Sequence, residues 1–183
     1  MISMKNQEVK KYNNAIRSNA YMYVQQVDNL PLAKGQSLDK KINALIKRIK
    51  SVPEIKKYAL IVHDKDSDKD GNTIKPHVHV MLELDKQRSV NKIAKALDDS
   101  SERLESMIKK YKRHGIENGY AYLIHRTQGA EKKYQYSPEE VKANFDYPKY
   151  IKKLKQKVRV VNKKYNKEFI EEIFNNYLEG KFT

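Results

Sequence analysis

Two apolar runs joined by a polar loop constrain this chain most. YALIV, from Tyr58 to Val62, runs directly into His63, and HVHVMLEL, from His77 to Leu84, follows the turn-rich stretch DKDSDKDGNTIKP. Both runs are rich in β-branched and aromatic residues and are bounded by Asp, Gly and Pro, a strand signature. Strands joined this way, with no helix between them, belong to a mainly antiparallel sheet. YMYVQQV, from Tyr21 to Val27, reads as another strand and stops at Asp28-Asn29-Leu30-Pro31. KKYQY, from Lys132 to Tyr136, reads as a fourth.

Helical periodicity fills the intervals. Leu38, Ile42, Leu45, Ile46 and Ile49 form one amphipathic face, and Ser89 caps a helix carrying Val90, Ile93, Ala94 and Leu97. Leu104, Met107 and Ile108 mark a helical stretch ending near Gly115, and a further helix contains Tyr120 to His125 and is closed off by Gly129. Ser137-Pro138-Glu139-Glu140 is a capping box with proline at the first helical position. The expected fold is α+β, an antiparallel sheet flanked by helices.

The 183 residues fit one domain, residues 19–150, with a polar arm at 1–18 and a basic linker and amphipathic helix at 151–183. Lys and Arg number 38 against 23 Asp and Glu, a net charge of +15 that points to a polyanionic partner. There is no cysteine, which excludes disulfides, thiolate metal sites and a cysteine nucleophile. No apolar run approaches the roughly 18 residues of a membrane span. The opening MISMKNQEVKKYNN has no apolar export core, so a soluble cytoplasmic protein is expected.

Side chains at i and i+2 of a strand share a face, roughly 7 Å apart. His77 and His79 therefore point the same way, His63 ends the neighbouring strand, and Asp66 lies three residues beyond it. Three imidazoles and a carboxylate suit Mn²⁺, Mg²⁺ or a related divalent ion. Asp66, Asp68, Asp70 and Gly71 also match the start of an EF-hand loop, but its closing Glu position is His77 and strands flank it, so that reading fails. Asp64, Asp68 and Asp70 read as solvated turn residues. On a helical wheel Ile116, Leu123 and Ile124 cluster with Tyr120, which makes Tyr120 a packed tyrosine. Asn118, Tyr122, His125 and Arg126 gather on the opposite, polar side.

His63-Asp64-Lys65-Asp66, His77-Val78-His79 and Tyr122-Leu123-Ile124-His125, in that order and spacing, resemble the motifs of RepB-type replication initiators of rolling-circle plasmids, HUH endonucleases of mostly Gram-positive bacteria. The resemblance spans roughly residues 20–150, with YMYVQQVDNLP matching the family's first strand and loop. It implies a five-stranded antiparallel sheet with the HUH histidines on a central strand. It also implies that His63, Asp66, His77 and His79 bind the metal and that Tyr122 is the nucleophile. With four strands legible, the fifth is short or lies within 100–115.

The implied reaction is nicking and rejoining of single-stranded origin DNA through a 5′-phosphotyrosine, with His125 a candidate assistant to Tyr122. Lys109, Lys110, Lys112, Arg113 and Arg126, with the basic run from Lys152 to Lys167, are candidate DNA contacts, and flanking duplex repeats are candidate targets. A host helicase and polymerase would complete replication. The stripe from Phe169 to Leu178 serves either docking or homo-oligomerisation. The rival readings are an HUH relaxase or transposase, a hydrolytic phosphodiesterase that would not need Tyr122, and a non-catalytic nucleic-acid-binding module. The last would want aromatics where the central strand carries His77 and His79.

Overall fold

Alternation sorts the three long strands into two chemically different faces. In the computed structural model, which describes residues 16–31, 35–111, 114–127 and 129–154, these strands are β1 (Arg17–Gln26), β2 (Ile55–His63) and β3 (His77–Ser89). Two short strands, β4 (Leu104–Ser106) and β5 (Lys142–Ala143), complete an antiparallel sheet ordered β4-β1-β3-β2-β5. Tyr21, Tyr23, Tyr58, Leu60, Val80 and Leu82 turn to one face. There they form a core with Ile42, Leu45 and Ile49 of α1 (Leu38–Lys50) and Val90, Ile93 and Leu97 of α2 (Val90–Leu97). Burying each such side chain contributes about 1.5–3 kcal/mol. The Ser89 side chain accepts from the Lys92 amide, so the expected cap is formed.

The opposite face carries the chemistry. The register pairs His63 with His77, Ile61 and Val24 with His79, and Ala59 and Met22 with Met81. Since paired residues project to the same side, the histidines occupy one end of this face and methionines its middle. Two further helices, α3 (Met107–Tyr111) and α4 (Gly115–Tyr122), follow β4. They approach each other so closely that a Cβ on Gly115 would collide with the Met107 carbonyl. At Gly119 a Cβ would lie 2.5 Å from the Met81 sulfur, so the missing side chain lets α4 settle beside β3. Tyr120, fully buried, donates its hydroxyl to Glu83 of β3 and accepts the Tyr147 hydroxyl on its carbonyl.

Several sequence expectations are corrected. KKYQY at 132–136 is not a strand but part of a turn-rich segment without ladder partners. Leu104 lies in β4 rather than in a helix, and that strand supplies the one expected within 100–115; β5 is the other short one. β1 begins at Arg17, four residues before Tyr21, pairing Arg17 and Ser18 with Ser89 and Arg88. The capping box at Ser137 forms, but the turn it starts, Pro138–Glu140, is a 3-10 helix. Most of the arm and of the basic linker, and the whole Phe169–Leu178 stripe, lie outside the described residues. The chain divides into two units after Tyr147; the sheet belongs to the first, and residues 148–154 of the second are helical. Among the described residues no helix is long and apolar enough to cross a membrane.

Candidate metal centre and tyrosine

The loop after β2 turns one carboxylate inward and leaves the others in water. Asp68 accepts from the amides of Asp70 and Asn72 and from the Asn72 side chain, which closes the turn around itself. Asp64, Asp68 and Asp70 are exposed, whereas Asp66 is 4 % exposed. Its Oδ2 lies 3.6 Å from His63 Nδ1, 3.9 Å from His77 Nε2 and 3.7 Å from His125 Nε2. Its Oδ1 accepts from the Tyr136 hydroxyl at 3.3 Å, and that hydroxyl in turn accepts from the Lys65 amide at 2.9 Å.

Backbone carbonyls fix the imidazole tautomers. His63 Nε2 donates to the Leu123 carbonyl at 2.8 Å, His77 Nδ1 to that of Lys75 at 3.0 Å and His125 Nδ1 to that of Tyr134 at 2.7 Å. A carbonyl only accepts, so each of these rings carries a proton on that nitrogen, and in a neutral ring the other nitrogen presents a lone pair. His63 Nδ1, His79 Nδ1 and His125 Nε2 are buried with no hydrogen-bond partner. Burial, above all, lowers the pKa of His63 to about 4 and holds those of His79 and His125 below the ordinary imidazole value. The three are therefore neutral near pH 7, the form that binds a metal.

Buried lone pairs converging on a carboxylate are costly unless something cationic joins them. The donor set fits that requirement: His63, His77 and His79 form one group that could hold a metal ion, and His63, Asp66 and His125 another. Two ligands at about 2.1 Å from one divalent ion stand roughly 3 Å or slightly more apart, so the observed separations need only a small contraction.

Tyr122 stands at the rim of this cluster. It is the last residue of α4, half-buried, with its ring 5.4 Å from that of His79 and 5.4 Å from that of His125. The helix stops there, and His125 adopts φ 55°, a left-handed conformation that a non-glycine residue rarely takes. That turn carries the His125 ring into the cluster instead of onto the polar helix face that the wheel assigned to it. His125 is 1 % exposed, and it contacts Asp66, Tyr134 and the His63 ring while staying beside Tyr122.

The segment after Gly129 supplies what the sequence reading missed. It gives the Tyr134 carbonyl to His125, the Tyr136 hydroxyl to Asp66, and a Lys133 ammonium that donates to the Tyr122 hydroxyl at 3.1 Å. Tyr136 also stacks on His63 at 4.6 Å, and burial pushes its pKa up to about 12, so it stays a donor. The signal available was nearness alone: Lys133 lies 11 residues after Tyr122. Of the candidate DNA contacts, Lys109 and Lys110 are exposed on α3, with Lys110 paired to Glu105 at 2.8 Å. Arg126 is exposed just beyond the His125 turn, and Lys112 and Arg113 lie outside the described residues.

No curated protein matches the chain. Residues 13–148, which hold the sheet, the histidine–aspartate cluster and Tyr122, match the family model described as plasmid replication protein, origin binding domain. The chain therefore belongs to the origin-binding-domain family of plasmid replication proteins.

Proposed function

We propose that this origin-binding chain is a RepB-type initiator of the HUH class, which nicks and rejoins single-stranded DNA at a plasmid origin by transesterification through Tyr122. The observation that carries this reading is a half-exposed tyrosine packed on His79, at the edge of a buried cluster with three orphan imidazole nitrogens. His63, Asp66, His77 and His79 would hold a divalent ion, Mn²⁺ or Mg²⁺. When bound, such an ion supplies Lewis-acid polarisation of a phosphate and offsets its negative charge.

The chain's own groups do the rest. Tyr122 Oη attacks phosphorus, the P–O3′ bond breaks, and the products are a 5′-phosphotyrosyl protein and a free 3′-OH. The bond energy is kept in the covalent link, so rejoining needs no nucleotide. His125, with Nε2 3.7 Å from Asp66 Oδ2, is a further ligand candidate for the divalent ion. Lys109, Lys110 and Arg126 add exposed positive charge toward the DNA backbone. The free 3′-OH suits a host polymerase, and a host helicase would open the duplex, in the bacterial cytoplasm.

The test is a denaturing gel of the protein incubated with Mn²⁺ and an end-labelled single-stranded origin oligonucleotide. A denaturation-resistant adduct is expected with the natural chain and with Tyr120→Phe, and none with Tyr122→Phe. Cleavage without an adduct would replace this reading with a hydrolytic phosphodiesterase, and binding without cleavage would leave a DNA-binding module.

A further inference from the structure

We propose that Lys133 is a catalytic residue of the strand transfer, holding the attacking oxygen of Tyr122 and presenting its charge to the phosphate at the point of attack. The inference rests on the nicking reading above and assigns a group to it that lies on neither the tyrosine helix nor the histidine strands. The Lys133 Nζ lies 3.1 Å from Tyr122 Oη and 5.4 Å from the centre of its ring, so the ammonium sits at the hydroxyl end of the side chain.

An ammonium only donates, so in this contact Oη is the acceptor. The tyrosine's own O–H is thereby turned away from Lys133 and left to be lost elsewhere. A cation at that oxygen is worth more as negative charge develops there, which is the condition for lowering a barrier and not merely for binding. In the step itself the Oη–P bond forms as the P–O3′ bond breaks. The phenolic proton passes to water, the 3′-oxygen takes a proton from water, and Lys133 keeps all of its own. In the reverse step the same ammonium faces the departing tyrosine oxygen, so rejoining needs it equally.

The backbone that carries Lys133 is anchored, although its side chain reaches into solvent. The Lys133 amide donates to the Ala130 carbonyl at 3.1 Å, and the Gln135 side-chain amide donates to the carbonyls of Ala130 and Lys133 at 3.0 Å each. The next residue's carbonyl holds His125, and Tyr136 holds Asp66. One segment thus fixes two members of the cluster and the lysine on the nucleophile in a common frame. A flexible surface lysine would lack that fixed origin, and the lost side-chain entropy would cancel most of its contact.

The experiment measures single-turnover adduct formation by the full chain with Mn²⁺ and saturating oligonucleotide, beside oligonucleotide affinity by anisotropy and the Mn²⁺-induced shift in Tm. Lys133→Ala should slow adduct formation and rejoining each by about 100-fold. Affinity should change less than about threefold and the Mn²⁺ shift not at all, which separates transition-state stabilisation from binding. Lys133→Arg should stay within about tenfold of the natural rate, and Lys132→Ala should match it. Placing difluorotyrosine, a more acidic phenol, at position 122 in the Lys133→Ala chain should restore at least about tenfold.

A Lys133→Ala rate equal to that of the natural chain, or a loss tracked entirely by affinity, would overturn the assignment while leaving the nicking reading intact. No adduct from the natural chain under the same conditions would overturn both.

Discussion

Replacing Asp66 by Asn separates the folding of this cluster from its use. The carboxylate Oδ2 faces three imidazole nitrogens at 3.6, 3.9 and 3.7 Å, each a lone-pair position of the neutral ring. Without a cation, that arrangement sets acceptor against acceptor. The amide introduced by Asp66→Asn would keep the Oδ1 acceptor for Tyr136 and put two N–H donors where Oδ2 stood. A net hydrogen bond contributes about 0.5–1.5 kcal/mol, so metal-free Asp66→Asn should be as stable as the natural chain or up to about 2 kcal/mol more stable. Metal binding should move the opposite way. A group outside the coordination shell is worth about 10–100-fold in affinity, so loss of a direct anionic ligand should cost at least about 100-fold. At a Mn²⁺ concentration of about 100 times the natural Kd, the natural chain gains about 2.7 kcal/mol and the variant no more than about 0.4 kcal/mol. With an unfolding entropy near roughly 0.3 kcal/mol/K for a domain of roughly 140 residues, the Tm shifts are about 9 °C and about 1 °C. Thermal melts in EDTA and in Mn²⁺ read both numbers. A variant that keeps the full Mn²⁺ shift, or that melts well below the natural chain in EDTA, would refute the reasoning.

Two further outcomes test the frame around the site. Burial raises the Tyr21 pKa to about 12, and its hydroxyl donates to the Arg88 carbonyl at 2.8 Å. The folded state therefore favours neutral Tyr21, a contribution complete below the unfolded pKa near 10 and lost as pH rises from about 10 to about 12; at pH 11 the loss is about 1.4 kcal/mol. Urea titrations at pH 8 and 11 should show it, and Tyr21→Phe should show a correspondingly smaller drop. Gly115→Ala places a methyl group against the Met107 carbonyl, which backbone rigidity cannot relieve cheaply. The expected cost is about 1–3 kcal/mol by the same titration, with slower adduct formation because α4 carries Tyr122; unchanged stability would show that α3 and α4 separate freely.

The central strands were legible as apolar runs, because β2 and β3 are buried on both faces. His77 and His79 could be placed on one face because strand side chains alternate; that His63 shares it follows from the register, which pairs His63 with His77. The start of β1 was not legible, because Arg17-Ser18-Asn19-Ala20 has little strand propensity and is held by pairing to the far end of β3. Strands of three and two residues, β4 and β5, are too short to show any period, and Leu104 with Met107 imitated a helical pair.

The site shows where pattern reading runs out. A wheel assumes that the helix continues, and on that assumption His125 belongs beside Tyr122 on an outer face. The chain instead leaves the helix at Tyr122, and one left-handed residue reverses the direction of the imidazole. Tyr134 and Tyr136 alternate like strand residues, yet Tyr136 is inward to serve Asp66 and Lys65, and Tyr134 is 45 % exposed while its carbonyl serves His125. Their spacing reports two hydrogen-bonding duties and no ladder. A segment whose backbone polar groups are satisfied by side chains carries no periodic signature, because the partners are chosen one at a time. For the same reason Lys133 could not be found by spacing. Its place is set by the carbonyl and hydroxyl contacts of its neighbours, and those neighbours are intelligible only once the three histidines and Asp66 have been brought together.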